Sequence, residues 1–285
     1  MKLITNYHTH TYRCGHAQEI NDEEYVKKAI ACGFKELGFS DHGPFKGIHH
    51  EGMRTDFEEI QNYLNSINSL KEKYKDQIKI YVGFEIEYIP RLDSYYKELY
   101  EKYKVDYLIL GQHFTYNEKN EPSYYWPFFA KDNIFCIKRY VADLISGIKS
   151  GYYKYVAHPD FFINHVSVFS DEIKDLSLEI INASIEMNIP LEINLNGYLY
   201  NRFGAFKNGC LFYPSVEFFK LAKENNTKFI IGVDAHRISQ FEDIPYEFLD
   251  EFFKETGIRT KVIKSKYLIT PSWQTPRCFF IIEIW

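Results

Sequence analysis

Seven short apolar runs, separated mostly by helical patterns, constrain the fold of this chain more than any other feature of its sequence. The runs occupy residues 3–8, 36–40, 78–84, 105–110, 153–157, 190–195 and 228–233. Apolar residues at helical spacing lie between them, over residues 22–32, 57–75, 134–149, 171–187 and 215–225. Strands that alternate with helices predict parallel β/α units, and repeated units favour a closed barrel whose chemistry lies on the loops after the strands. Because no linker interrupts the pattern, we expect one domain over residues 1–285.

The first run ends at His8, the first residue of the motif His8-Thr9-His10. Most of the later runs are also followed closely by a histidine or a carboxylate. Residues two apart on a strand point the same way, so the two imidazoles can converge on one point. Taken alone, such a pair is more often solvated than bound to a metal. The donors at or near the strand ends, however, are His8, His10, His16, His42, Glu85, His113, His158, Asp234 and His236. Because seven of the ten histidines lie there, the set favours metal ligands over core packing.

The number and type of these donors predict a cluster of metal ions. Nine nitrogen and oxygen donors exceed what one ion can use, so we expect two or three divalent ions that share a carboxylate. Imidazoles and carboxylates without thiolates suit zinc, iron or manganese better than calcium or an iron–sulfur cluster. Clustered ions promote in-line displacement at phosphorus, which favours hydrolysis of a phosphate ester. Deamidation or deamination, as in barrel amidohydrolases, is the competing chemistry, but those enzymes use one or two metals.

The composition argues against several classes of protein. A net charge of -5 without a sustained lysine or arginine run argues against a nucleic-acid-binding or membrane surface. No apolar stretch is long enough to span a bilayer, and residues 1–6 lack the apolar core of a signal peptide. The five cysteines form no Cys-x-x-Cys pair, which is typical of a reduced protein without disulfides. We therefore expect a cytoplasmic protein that acts on a small phosphate ester.

Six strand-end motifs have an order and spacing that can be compared with known families. They are His8-Thr9-His10, Ser40-Asp41-His42-Gly43, Gly83-Phe84-Glu85, Gly111-Gln112-His113, Ala157-His158-Pro159-Asp160 and Val233-Asp234-Ala235-His236. As a set they resemble the motifs of the polymerase and histidinol phosphatase (PHP) family, over about residues 1–240. Residues 83–90, 191–194 and 213–215 look like the branch of monofunctional histidinol-phosphatases.

The resemblance implies both a fold and a division of the ligands. The fold would be a distorted seven-stranded (β/α)7 barrel, similar to a TIM barrel, with a trinuclear metal site at the carboxyl ends of the strands. The ligands would be His8, His10, Glu85 and Asp234 for one ion, His16, His42 and His236 for a second, and Glu85, His113 and His158 for a third.

The resemblance also implies an activity. It is the hydrolysis of L-histidinol phosphate to L-histidinol and phosphate in histidine biosynthesis, by a metal-bridging hydroxide that attacks phosphorus in line. A PHP phosphoesterase acting on nucleotides or other phosphoesters is the alternative, which the net charge disfavours. A non-catalytic metal-binding module, like the PHP domains attached to some polymerases, is disfavoured by the complete ligand set.

A phosphate monoester carries two negative charges, so a fixed arginine is expected beside the metals. Among the eight arginines we rank Arg202 first, because we expect it in the loop after the sixth strand, which has no obvious metal ligand. Arg237, adjacent to a ligand histidine, is second and Arg54 is third. For Arg202, a surface ion pair is an equally good interpretation.

Three carboxylates are candidates for supporting roles. Glu87 lies on the same strand face as Glu85, where it supports a ligand or binds the cationic end of the substrate, although a solvated carboxylate is the favoured interpretation. Asp41 and Asp160 each adjoin or closely follow a ligand histidine, and are candidates to orient imidazoles or to transfer a proton.

Two aromatic segments lie outside the strand–helix pattern. The loop 114–129 is a candidate cover for an imidazole or ammonium ligand, although packing at the barrel mouth is the more frequent role of such a loop. Residues 267–285 do not match the family and contain the apolar run 279–282. We expect that run to be buried against the barrel or in a homodimer.

Overall fold

Parallel strands form the centre of the structure, a computed structural model that describes residues 2–50, 52–116, 122–124, 131–202 and 209–259. Strands β1 (Thr5–Asn6), β2 (Glu36–His42), β3 (Lys79–Glu85) and β4 (Tyr107–Ile109) form a parallel sheet in chain order. Strands β5 (Phe114–Tyr116) and β6 (Pro122–Tyr124) form an antiparallel hairpin, and β7 (Leu191–Asn194) pairs in parallel with β8 (Phe229–Gly232). The predicted α/β architecture with parallel strands is confirmed. The segment 267–285 lies outside the described residues, as do residues 117–121 and 125–129 of the predicted loop 114–129, whose described residues form the hairpin of β5 and β6.

Isolated parallel bridges connect the two parallel sheets. Val156 bridges Leu110 on one side and Leu191 on the other, and Thr9 bridges Ala235. The predicted strand over residues 153–157 is thereby reduced to a single bridging residue. It ends there because the chain turns at the next residue but one, His158, whose φ is 30° and therefore incompatible with an extended strand.

Helices lie between or after the strands. They are α1 (Asp22–Cys32), α2 (Ile60–Lys73), α3 (Asp93–Glu101), α4 (Ile134–Ser150), α5 (Asp171–Glu186), α6 (Leu195–Arg202), α7 (Val216–Glu224) and α8 (Tyr246–Thr256). Five of them, α1, α2, α4, α5 and α7, coincide with the helical segments predicted from the sequence. The side chains of Asn133, Ser170 and Ser215 accept backbone N–H groups at the starts of α4, α5 and α7, as capping residues do. Among the described helices, none has both the length and the apolar character needed to cross a bilayer.

Helix α6 replaces a segment that the sequence interpretation treated as a loop. It begins directly after β7, and the Asn194 side chain accepts the backbone N–H of Gly197 at 2.9 Å, which satisfies a donor of the first turn. Arg202, the first-ranked substrate arginine, is the last residue of this helix and is exposed.

Buried tyrosines pack together on or beside the strands, each of them before the histidine or glutamate that ends or follows its strand. Tyr7, Tyr81, Tyr107 and Tyr155 belong to one buried cluster. Tyr7 and Tyr81 donate hydroxyl hydrogen bonds of 2.6 and 3.1 Å to the carboxylate of Glu36. Tyrosine suits this position because it buries a large apolar ring while its hydroxyl finds a partner.

Replacing Ile180 with alanine is expected to lower the free energy of unfolding by about 2–5 kcal/mol, because the side chain is fully buried and its loss leaves a cavity. Ile185→Ala, on the same helix α5, is the matched control with the same change in helix propensity. Since Ile185 is 45% exposed, we expect a loss below about 1 kcal/mol. Urea denaturation measures both, and equal losses would contradict the burial of Ile180 in the core.

Candidate metal centre

Four of the predicted ligands meet just beyond the ends of the strands. His8 Nε2 lies 3.4 Å from both Glu85 Oε2 and Asp234 Oδ1. His10 Nε2 lies 3.5 and 3.1 Å from the same two oxygens. Ligands bound at about 2.0–2.2 Å to one tetrahedral ion are about 3.3–3.6 Å apart, so these four atoms are spaced as the ligands of a single ion would be.

The hydrogen bonding of these atoms also fits a metal ion. His8 Nε2, His10 Nε2 and Asp234 Oδ1 are buried and make no hydrogen bond within the described part of the chain. Buried polar atoms are nearly always paired, so a group of them around one point needs an explanation. A divalent ion supplies it, because it replaces hydrogen-bond partners for all of them at once.

A second group of ligands lies beside the first. His16 Nε2 and His236 Nε2 are 3.1 Å apart. Ligand atoms of His16, His42 and His236 lie within 4.8 Å of one another, close enough to share an ion. Cys14 lies near His10 and His236, and burial raises the pKa of its thiol.

The other oxygen of Glu85 faces a third group. Glu85 Oε1 lies 2.7 Å from His158 Nε2 and 3.5 Å from His113 Nε2. His42 Nδ1 is 3.1 Å from Glu85 Oε2, so that His42, a member of the second group, also contacts this carboxylate. Glu85 is thus the one acidic side chain in contact with all three groups of predicted ligands among the described residues.

The backbone explains how distant parts of the sequence reach one place. The register of β2 and β3 pairs His42 directly with Glu85. His158 and Asp234 have φ values of 30° and 52°, a conformation that costs free energy in non-glycine residues. Gly111 leaves room for the Glu85 side chain, since an added Cβ would lie 2.6 Å from Glu85 Cδ.

Burial and neighbouring charges set the protonation states. Burial raises the pKa of Glu85, but the surrounding imidazoles, His113 first, hold it well below its usual value. Burial and the neighbouring His10 lower the pKa of His42 and of His236 well below the usual value. These shifts favour an ionised carboxylate and two neutral imidazoles, the states that bind a divalent cation. For His8 and His10, burial lowers the pKa, but Asp234 and the other carboxylates raise it above the usual value, so that metal binding at these two residues releases protons.

Glu87 joins Arg54 to His113 behind the ligands. Its Oε1 accepts an N–H from Arg54 Nη2 at 2.9 Å and lies 3.0 Å from His113 Nδ1. The Arg54 guanidinium lies 5.2 and 5.1 Å from the ring centroids of Phe45 and Phe114. The interpretation of Glu87 as a solvated carboxylate is wrong: the side chain is fully buried, because the Arg54 charge compensates its own.

Glu192 on β7 is a residue of the site that the sequence interpretation missed. It is fully buried, its Oε1 lies 2.8 Å from His8 Nδ1, and its Oε2 accepts the backbone N–H of His158 at 3.0 Å. The available signal was a carboxylate within the apolar run Leu191-Glu192-Ile193, because a charge is rarely buried in a strand unless it is paired.

Asp41 and Asp160 also lie close to ligand histidines. Asp41 Oδ1 is 3.6 Å from His10 Nδ1, and its Oδ2 accepts a hydrogen bond from the Thr11 hydroxyl. Asp160 Oδ2 accepts the backbone N–H of Ser215 at 2.6 Å, and burial raises the pKa of this carboxyl to about 7. Their roles in orienting imidazoles or in proton transfer stay predictions.

A cavity of about 340 Å³ opens over the histidines. Its lining includes the apolar side chains of Met53, Phe161 and Tyr213 as well as seven of the predicted ligands. Arg54 is the candidate arginine in this lining. Arg202 and Arg237 are exposed, and neither belongs to the described lining; Arg237 instead borders a neighbouring depression that includes His16.

The chain is similar to PHP-domain proteins and to proteins named as histidinol-phosphatases. The PHP domain family matches residues 6–196 of the chain. The chain is 22% identical over 270 residues to a Deinococcus radiodurans protein named "Probable histidinol-phosphatase", covering 93% of this chain and 98% of the relative. It is 24% identical over 267 residues to the histidinol-phosphatase of Bacillus subtilis, covering 85% and 95% of the two.

A solved structure has the same fold. It is histidinol phosphate phosphatase from Lactococcus lactis complexed with zinc, L-histidinol and phosphate, which matches with a TM-score of 0.65 at 21% identity, covering 89% of this chain and 93% of that one. Since the family match spans more than half of the sequence, the chain belongs to the PHP domain family.

Proposed function

We propose that the protein is a metal-dependent phosphomonoesterase that hydrolyses L-histidinol phosphate to L-histidinol and phosphate in histidine biosynthesis. The observation that carries the proposal is the gathering of Glu85 and eight further imidazole and carboxylate donors beneath one cavity. Two relatives named as histidinol-phosphatases, which the chain matches over nearly their whole length, support this choice of substrate.

The donor set fits two or three ions of zinc, iron or manganese. They would be held by the three groups described above: His8, His10, Glu85 and Asp234; His16, His42 and His236; and Glu85, His113 and His158. When bound, such ions supply Lewis acidity toward the phosphoryl oxygens and toward water.

The remaining lining of the cavity provides contacts for the substrate. Arg54 is buried, and its guanidinium is held by Glu87, so it can meet a phosphate with little loss of side-chain freedom. The aromatic rings of Phe161, Tyr200 and Tyr213 offer a surface for the imidazole of the substrate. Asp41 and Asp160 are candidates for proton transfer to the leaving alkoxide.

We further infer that the parallel strands close into a seven-stranded barrel. The seven members would be β1 to β4, the segment at Val156, β7 and β8. The parallel bridges on both sides of Val156 support the junction between the two sheets. The bridge between Thr9 and Ala235 supports closure between the last strand and the first.

Phosphate release by metal-loaded protein tests the function. L-histidinol phosphate is compared with a nucleoside monophosphate and an aryl phosphate, with elemental analysis of the same sample. We expect strong preference for L-histidinol phosphate. Turnover of the nucleotide or aryl phosphate alone would keep the phosphatase and refute the substrate. No turnover by a protein with bound metal would indicate a non-catalytic metal-binding module.

Substitution of the three arginines distinguishes their contributions. Arg54→Ala is expected to lower kcat/KM for L-histidinol phosphate by more than about 10-fold, because it removes a hydrogen bond to a charged group, worth about 1.5–3 kcal/mol, and also leaves the buried Glu87 carboxylate without its compensating charge. Arg54→Lys keeps the charge but loses the planar guanidinium, so it should recover only part of the activity. For the exposed Arg202 and Arg237, alanine variants should lose less than about 10-fold, since water screens their charges. A larger loss of kcat/KM in Arg202→Ala than in Arg54→Ala would indicate that Arg202, and not Arg54, is the main arginine that binds the phosphate.

A further inference from the structure

We propose that Glu192 is a positioning residue, which fixes the tautomer of His8 and the backbone of His158 so that both imidazoles present Nε2 to the metal ions. The inference rests on the metal-binding part of the proposed function. It assigns a role to a side chain outside the nine predicted ligands, on a strand to which the sequence analysis assigned no metal chemistry.

The contact with His8 sets where its proton lies. Glu192 is fully buried, and its Oε1 is 2.8 Å from His8 Nδ1. A carboxylate only accepts hydrogen bonds, so in metal-bound His8 the proton is on Nδ1. Nε2 then carries a free lone pair, and it faces Glu85 Oε2 and Asp234 Oδ1, each 3.4 Å away. A carboxylate behind a ligand histidine orients the ring and makes it a stronger donor.

The second carboxylate oxygen of Glu192 positions His158 by accepting a hydrogen bond from its backbone. Glu192 Oε2 accepts the backbone N–H of His158 at 3.0 Å. The φ of His158 is 30°, which is unfavourable for a residue with a side chain, so this hydrogen bond offsets part of the cost. In that conformation His158 Nε2 reaches Glu85 Oε1 at 2.7 Å.

A neutral amide cannot replace this carboxylate. Glu192 Oε2 also accepts an N–H from Asn194 Nδ2 at 2.8 Å, and Asn194 cannot turn its amide over, since its Oδ1 accepts the Gly197 N–H. A glutamine at position 192 would therefore place its single oxygen toward these two donors. Its NH2 group would face His8 Nδ1, which would have to accept, and the proton would move to Nε2, where it blocks metal binding.

The neighbouring strand is shaped to receive the carboxylate. An added Cβ at Gly232 on β8 would lie 2.5 Å from Glu192 Cδ. Gly232→Ala therefore displaces the carboxylate while leaving its charge in the protein. It gives a second variant that acts through the same contact.

Zinc affinity measured on the full chain tests the inference. Metal-free protein is titrated with zinc against a chromophoric chelator, the bound zinc is counted, and the melting temperature of the metal-free protein is recorded. We expect Glu192→Gln to raise the zinc Kd by about 10–100-fold, the range for loss of a carboxylate behind a ligand, and Gly232→Ala to change it in the same direction. Glu36→Gln is the matched control, because Glu36 also accepts two hydrogen bonds but from Tyr7 and Tyr81, away from the histidines.

The outcomes separate this inference from the proposed function. Wild-type protein that binds no zinc would refute the metal centre and, with it, the positioning role. Tight zinc binding by the wild type together with an unchanged zinc Kd in Glu192→Gln would refute the positioning role alone, even if the metal-free variant melted at a lower temperature. If Glu192→Gln does not fold, an unchanged zinc Kd in Gly232→Ala gives the same refutation.

Discussion

Replacing Glu85 with glutamine is expected to lower phosphate release from L-histidinol phosphate by more than about 100-fold, beyond the range for residues that only support a ligand. The two carboxylate oxygens lie within 3.5 Å of imidazole nitrogens of His8, His10, His42, His113 and His158. An amide removes the negative charge that all three ligand groups share, and it directs an NH2 group at lone pairs that bind metal. Steady-state kinetics and elemental analysis of the purified variant measure both effects, and bound metal should fall with activity.

Two glutamates provide graded controls for this experiment. Glu87→Gln alters a side chain that contacts the ligand His113 but faces Arg54 on its other side, so we expect a loss of about 10–100-fold. Glu36→Gln, at the start of β2 beside the buried tyrosines, should leave kcat/KM and metal content near those of the wild type. Full metal content and activity in Glu85→Gln would contradict a shared carboxylate at this position.

The sequence predicted the gathering of the ligands because their positions follow from strand geometry. His8 and His10 have ring centroids 5.1 Å apart, as expected of residues that point the same way near the end of a strand. His42 and Glu85 end neighbouring parallel strands, so register alone brings them together. That these side chains bind metal stays a prediction, but their convergence required no knowledge of loop conformation.

Features that depend on tertiary contacts were not available from the sequence. Glu192 lies within an apolar run, and its partner His8 is 184 residues away in the chain, so periodicity did not identify the contact. Glu87 was interpreted as solvated because the compensating charge of Arg54 comes from an irregular segment. Arg202 was ranked first on the assumption of a loop after β7, whereas Asn194 starts a helix there and leaves Arg202 exposed at its end.

Gly111→Ala is expected to cause losses of metal and of activity as large as those of Glu85→Gln, although it changes no charged group. The added Cβ would lie 2.6 Å from both Cγ and Cδ of Glu85, so the clash is with the body of the side chain and not only with its tip. Glu85 cannot simply turn aside, because His158 and the other imidazoles surround it. Metal content per folded protein and kcat/KM measure the effect.

Gly38→Ala is the matched control, since it adds the same methyl group at another crowded glycine, where the closest atoms belong to the tyrosine cluster and not to a predicted ligand. Its Cβ would lie 2.9 Å from Tyr7 Cα and 3.0 Å from Tyr107 Cζ, within the tyrosine cluster. Both variants should lose about 1–3 kcal/mol of folding free energy through overpacking. Only Gly111→Ala should lose metal, because only there does the strain fall on a predicted ligand. Wild-type metal content and kcat/KM in Gly111→Ala would mean that Glu85 can move without disturbing the centre, and would therefore refute its role as the fixed, shared ligand.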